Sequence, residues 1–337
     1  MTFLCCAWVA MCFVLGARVS PYSGEAVLQN YRLADGAVVL QTGGGYVEPY
    51  FATKALLVAQ DAGLDAQRPA QEWIKWALAH QRSDGRFNRY CRKPGHDWEA
   101  CGDADADDAM LALWLQLLYR SAPDAGIPEQ WKKSVDKART QLSKLRNARL
   151  RVYHVSQKNH VALFMDNVEI YSALKDIAAA QGRLGDEAGA KATARAAEDL
   201  AAGIRRVFWD HRGHRFRPSM QKNKPAFYPD AVAQVYPWLA DLPVPENSRE
   251  AWARWKGQFV SAWLETRYDP HPWGLVALAA VKEGDETSAV CWLAHSQPLR
   301  YSARWNVLEE AVYQGLQSSL GSPQETDPSA CSRVLAQ

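Results

Sequence analysis

Apolar residues fall at helical spacing along most of this chain, in segments separated by polar loops. The first segment covers about 48–61, with Phe51, Leu56, Leu57 and Ala59 on one period, and the second about 70–81. Helices are predicted likewise over about 104–119, 128–145, 187–208, 248–265, 272–282, 286–295 and 303–320. One more opens at Asp166-Asn167 and carries Val168, Tyr171, Leu174 and Ile177, and another starts near Asp230. The run 150–156 reads as extended, and FWDHRGHRFRPS, with aromatic-flanked residues around Gly213, as a small β-hairpin near 208–217. These helices come in pairs, and the long loops precede the odd-numbered ones. Antiparallel hairpins put such loops on one face of a scaffold, where sites are usually built. The expected fold is therefore all-α: an (α/α)6 toroid with one outer helix damaged or missing. A superhelical stack of hairpins is the alternative.

Acidic motifs open alternate helices at nearly even intervals. They are Glu48 in GGGYVEPYFATKALL, the cluster Asp103, Asp105, Asp107 and Asp108 in CGDADADDAMLALWL, Asp166/Glu169 in FMDNVEIYSALKDI, and Asp230 in FYPDAVAQVYPWL. An acid in the first helical turn is favoured by the helix dipole and by capping. Each motif alone is therefore satisfied by a structural role, and Asp166 with Glu169 fits a capping arrangement. Four carboxylates in six residues also repel one another, which raises proton affinity and suits a proton donor. Were that cluster helical throughout, Asp103 and Asp107 would share a face, as would Asp105 and Ala109. The cluster lacks the glycine and closing glutamate of an EF-hand loop.

Composition narrows the chemistry. The chain has 337 residues, 48% hydrophobic and 23% charged, with a formal net charge of +2, which argues against a dedicated nucleic-acid binder. No linker rich in Gly, Ser or Pro divides it, so residues 21–337 read as one domain. Fourteen Trp and thirteen Tyr are unusual. Most would fill a helical core, but some flat rings with polar tips could line a sugar cleft. Tyr46, Trp98, Tyr228, Trp238 and Trp273 are the candidate platforms. No spacing of His and Cys suggests zinc, and no metal or cofactor is implied.

The opening MTFLCCAWVAMCFVLGARVS has an apolar run from Phe3 to Ala17, right for a signal-peptide core and too short to span a bilayer. Residues 1–20 read as that signal, and the protein as secreted or periplasmic, without stable membrane insertion. Four cysteines then remain: Cys91, Cys101, Cys291 and Cys331. An even number fits disulfides in an exported protein. Cys91 and Cys101 close a short loop before the Asp cluster. The other two are left to join the C-terminal tail to a helix.

The segments FMDNVEIYSALKDIAAA and VFWDHRGHRFR resemble the six-hairpin glycosidase superfamily, and that resemblance covers most of residues 40–320. Three short motifs are similar to family 8 glycoside hydrolases, the cellulase and chitosanase group. This second resemblance implies Glu48 as the catalytic acid and Asp230 as the base. Asp105, or Asp103 beside it, would hold the sugar at the cleaved bond, with Asp166 a further sugar contact. Pro229 displaces the tyrosine of the third motif, and Ala233 and Gln234 stand where an arginine is expected. The reading is a carboxylate-dependent hydrolase of a polysaccharide or oligosaccharide. A polysaccharide lyase or epimerase is the alternative, if Arg86, Arg89, Arg215 and Arg217 gather near a histidine and tyrosine. His154, His160, His211, His214 and His271 keep it open. A non-catalytic sugar-binding relative is the third reading.

Overall fold

The computed structural model describes residues 26–222, 224–321 and 328–336. The expected signal segment lies outside the described residues. The helices are α1 (Pro49–Asp61), α2 (Gln67–His80), α3 (Asp107–Ser121), α4 (Glu129–Leu145), α5 (Phe164–Arg183) and α6 (Glu187–Phe208), followed by α7 (Tyr236–Ala240), α8 (Ser248–Leu264), α9 (Gly274–Lys282), α10 (Glu286–Ser296), α11 (Val307–Leu320) and α12 (Pro328–Leu335).

Side-chain pattern decides which helices go inside. In α3 nearly every position is buried, from Asp108 to Leu118 without interruption. A helix apolar on all sides has to be surrounded. In α4 burial is confined to one stripe through Trp131, Val135, Ala138, Leu142 and Leu145, which is an outer helix. The same contrast separates α5 from α6, whose buried stripe is Ala197, Leu200, Ala201, Ile204 and Phe208. The odd-numbered helices pack in the order α1, α3, α5, α7, α9, α11, and α11 packs back on α1, so the inner ring closes. The superhelical stack is thereby excluded. The helix α12 packs on α8 and α10 rather than behind α11.

Three small antiparallel sheets decorate the ring. The strands β1 (Tyr46–Val47), β2 (Asn88–Cys91) and β3 (Glu99–Asp103) form one in that order. The pair β4 (Arg146–Asn147) and β5 (Val152–Tyr153) forms the second. The expected hairpin is the third, β6 (Trp209–Asp210) with β7 (Arg215–Phe216). Two element starts differ from the sequence pattern. Strand β3 ends on Asp103 and α3 begins at Asp107, three residues later than the predicted start near 104, so the shared helical face of Asp103 and Asp107 does not exist. Asp230 sits in a π-helical turn, Phe227–Ala231, and the short α7 follows only at Tyr236. Both disulfides form as expected. Cys91–Cys101 ties β2 to β3, and Cys291–Cys331 ties α10 to α12.

A buried polar set fastens α11 to its leading loop and to the N-terminal segment. Glu310, 1% exposed, accepts from Arg300 Nη2 at 2.5 Å, from Arg300 Nε at 3.2 Å and from Trp305 Nε1 at 2.9 Å. Gln314 donates to the same carboxylate at 3.2 Å and accepts from the backbone N–H of Leu28 at 3.2 Å, binding the N-terminal segment to α11. Removing one member of such a buried set leaves the others without their partner. Glu310→Ala is expected to lower stability by about 3–5 kcal/mol, read as a fall in the urea midpoint. An unchanged midpoint would contradict the clamp.

Candidate active site

The inner helices all begin at one end of the ring, where their first turns and leading loops enclose a cavity of about 490 Å³. Its wall includes Tyr50 of α1, Asp105 before α3, Asp166 of α5, Tyr228 and Tyr236 around the start of α7, Asp269, His271 and Trp273 before α9, and Glu309 of α11. Helix N-termini favour negative charge, which suits the four carboxyls gathered there.

Two of these carboxyls, Asp166 and Glu309, come from α5 and α11, which stand three places apart in a closed ring of six, and both line the cavity. Asp166 is in the first turn of α5. Asn167, beside it, accepts from Tyr153 N–H at 2.7 Å and donates to Tyr153 and Leu163 carbonyls at 3.0 and 2.8 Å, fixing that turn against β5. Asp166 is therefore no cap, as the capping pattern had suggested, and it turns to the cavity. One oxygen, Oδ2, is sealed from solvent without a hydrogen-bond partner among the described residues. Burial, then the charges of Asp108, Glu169 and Asp105, hold its carboxyl well above the ordinary carboxylate range.

Glu309 is placed by two helix starts. Asn306 caps α11, accepting from Leu308 and Glu309 N–H at 2.9 and 3.1 Å. Glu309 Oε2 in turn accepts from Gly274 N–H, at the start of α9, at 2.7 Å. A Cβ on Gly274 would stand 2.7 Å from that oxygen and 2.8 Å from Trp292, so only glycine admits the contact. Burial pushes Glu309 up to about 7, against the pull of its backbone donors.

Sequence pattern had not singled out Glu309. Its signal is faint: two adjacent acids inside VLEEAVYQGL, a stretch in which every residue is buried. Asp108 was only one of four in its cluster, yet it is the one wholly inside, at 0% exposure. Its Oδ1 accepts from Ala109 N–H at 2.9 Å and its Oδ2 has no partner among the described residues. Burial carries it to about 7.

Of the residues expected from sequence, Asp105, Asp166, Tyr228 and Trp273 are brought together. Asp105 keeps its side chain 69% exposed and accepts from Arg89 Nη2 at 2.8 Å. The Nε of the same arginine pairs with Glu48, which also accepts from Tyr46 OH at 3.4 Å. Glu48, 3% exposed, thus lies behind Arg89 rather than on the cavity wall, and burial raises its proton affinity. Tyr228 stacks on Trp273, ring centroids 4.7 Å apart and planes within 16°, and Tyr228 remains 47% exposed at the mouth. Trp273 takes a left-handed backbone, φ 50°, a strain that bulky residues carry mainly where the surroundings over-determine it.

The others are elsewhere. Asp230 and Trp238 line a separate groove of about 420 Å³ with Arg215, Trp255 and Tyr268. Asp230 Oδ2 accepts there from Ala226 N–H at 3.1 Å. The structure therefore does not bring Glu48, Asp105 and Asp230 to one cavity: one is buried behind a sheet arginine and one belongs to an outer groove. Trp98 donates to Asp35 at 2.9 Å and lies under Arg92, and Asp103 pairs with Arg82 on the sheet. The basic set of the lyase alternative is also divided. Arg86 and Arg89 hold Asp107 and Glu48, Arg215 and Arg217 line outer grooves, and His154 stacks on His160. His271 does reach the cavity.

No family model and no curated protein sequence matches the chain. Solved structures do. A mannosylglycerate hydrolase from Thermus thermophilus, in complex with glucose, superposes with a TM-score of 0.55 at 14% identity, over 86% of this chain and 97% of that one. An α-amylase from Clostridium perfringens gives 0.58 at 10% identity, over 87% and 95%. A rhamnosidase from Klebsiella oxytoca, with rhamnose bound, gives 0.55 at 14%, over 81% of this chain and 58% of that one. At these identities the likeness establishes the fold, a helical toroid shared with glycosidases.

The two buried acids have a consequence for stability. Asp108, ordinarily near 3.8, and Glu309, ordinarily near 4.5, both hold protons up to about 7 in the folded chain. The unfolded chain binds fewer protons over that window, so these groups make stability fall as pH rises from about 4 to about 7. Asp108→Asn is expected to flatten that fall, measured as urea midpoints of the two proteins across the window. Parallel curves would contradict the burial of an ionisable Asp108.

Proposed function

We propose that this chain is an exported glycoside hydrolase that cleaves a polysaccharide or oligosaccharide with inversion at the anomeric carbon. The observation that carries the reading is that Asp166 and Glu309, from inner helices opposite in the ring, line one cavity with stacked aromatic rings at its mouth. Glycoside hydrolysis needs one carboxyl that brings a proton and one that takes a proton. Asp166 holds its proton far above the ordinary range and so donates to the departing glycosidic oxygen. Glu309, with backbone N–H groups stabilising its ionised form, accepts the proton of the attacking water. In this reading the base acts on water and not on the sugar, which requires the two carboxyls to stand roughly 6.5–9.5 Å apart.

Asp105, held by Arg89, keeps the role expected of it as a contact to the sugar at the cleaved bond. Tyr228 and Trp273 offer flat apolar faces for a sugar ring. The roles expected for Glu48 and Asp230 pass to Asp166 and Glu309. The lyase alternative draws less support: of its arginines only Arg89 reaches the cavity wall, through its pair with Asp105, and it also holds Glu48, while Arg86 holds Asp107 and Arg215 and Arg217 line outer grooves. Two disulfides and the apolar leader support export. No described helix is long and apolar enough to cross a membrane.

The test is reducing-sugar release across β-glucans, chitosan and acidic exopolysaccharides, with the anomer first formed read by proton NMR. Activity on one class is expected, with the inverted anomer, rising with pH through about 7 as Glu309 ionises. Asp166→Asn and Glu309→Gln are each expected to lower the rate ~10²–10⁴-fold. Full activity in either variant would overturn the assignment.

A further inference from the structure

The ring axis holds a second cavity, of about 600 Å³, at the C-terminal ends of the inner helices. Tyr236 and Leu275 line both cavities, so a single layer of side chains separates them. Within that layer Lys54 of α1 forms an ion pair with Glu169 of α5. Glu169 Oε1 also accepts from Tyr50 OH at 2.7 Å. Lys54 donates to the Tyr50 and Tyr236 hydroxyls at 3.0 and 3.3 Å, with its ammonium 4.9 Å from the Tyr236 ring centroid. Every donor of the ammonium is thus engaged. The other oxygen of Glu169, 7% exposed as a residue, is sealed without a partner among the described residues. Glu169 follows Asp166 by one helical turn, so the two share a face of α5. A buried ion pair is a weak contributor to stability, and an apolar pair of similar volume serves folding as well.

We propose that Lys54 and Glu169 are positioning residues for Asp166: bonded to Tyr50 and Tyr236, which line the sugar cavity, they form the layer beneath it, and Glu169, one turn along the same face of α5, favours the neutral Asp166 carboxyl. This inference rests on the reading of Asp166 as the proton donor. The groups that face Asp166 are Asp105 and Asp108 from the α3 side, Glu169 on its own helix, Tyr50 and Lys54 from α1, and Tyr228 and Tyr236 from the α7 side. Asp269, His271 and Glu309 stand on the rest of the cavity wall. Among the charges acting on Asp166, Glu169 outweighs Lys54, so the pair together favours the protonated carboxyl.

The test is the double variant Lys54→Met/Glu169→Gln, which leaves no buried ion unpaired. Its alkaline limb of activity is expected to move to lower pH. The titration of Asp166, read independently from the pH dependence of stability with and without Asp166→Asn, is expected to move with it. Glu169→Asp keeps the charge and is expected to keep the wild-type limb even where the melting temperature falls, a split that a merely structural role would not produce. If the double variant does not fold, Tyr50→Phe removes a donor from Glu169, leaves its charge less satisfied and is expected to shift the limb in the opposite direction, to higher pH. A folded double variant, or failing it Tyr50→Phe, with the titration of Asp166 unmoved would overturn the proposal. A shifted titration in a protein without sugar-releasing activity would keep the proposal and reject the hydrolase reading.

Discussion

Everything in this molecule depends on closing a ring of helices that cannot tolerate water on any side. Inner helices such as α3 are apolar nearly all round, so each needs neighbours on both flanks and an outer helix behind. Closure of α11 onto α1 satisfies the last two flanks. The Glu310 set fastens α11 to the loop before it and, through Gln314, to the N-terminal segment. A closed ring leaves an axis, and the side chains that face it cannot all be apolar without filling it. This axis carries carboxyls and tyrosines instead, with a cavity at each end.

That arrangement explains why acids stand at one end. Six helix starts converge there and favour negative charge, while burial resists it. The balance differs by position. Asp105 is open to solvent and tied to Arg89. Asp108 is wholly enclosed with one oxygen unsatisfied. Asp166 and Glu309 line the cavity, the first beside Asn167, which is bonded to the Tyr153 backbone, and the second bonded to the Gly274 N–H. Acids with different proton affinities around one cavity are the means by which acid and base chemistry can share a neutral solution.

The ring was legible in the sequence because helical period and paired segments are local signals. The outer stripe of α4 and the unbroken burial of α3 are written in their residues. Both disulfide pairs followed from spacing and number. The site was legible only in part. The Asp cluster was visible, but the extended strand β3, tied to β2 by a disulfide, ends on Asp103, and the helix that starts at Asp107 buries Asp108. Asp230 looked like a helix start, whereas a π-helical turn places it on an outer groove. Glu309 was missed because an acid after an Asn cap is also what an ordinary helix start contains. Its meaning comes from Gly274, 35 residues away in sequence, and only the closed ring brings the two together.

The most direct measurement is a crystal structure of the Glu309→Gln protein soaked with the oligosaccharide it cleaves best. A sugar ring stacked at Tyr228 and Trp273, with the bridging oxygen toward Asp166 and the anomeric carbon open toward residue 309, is the predicted result. A sugar seated in the groove of Asp230 and Trp255, with the axial cavity empty, would contradict the account.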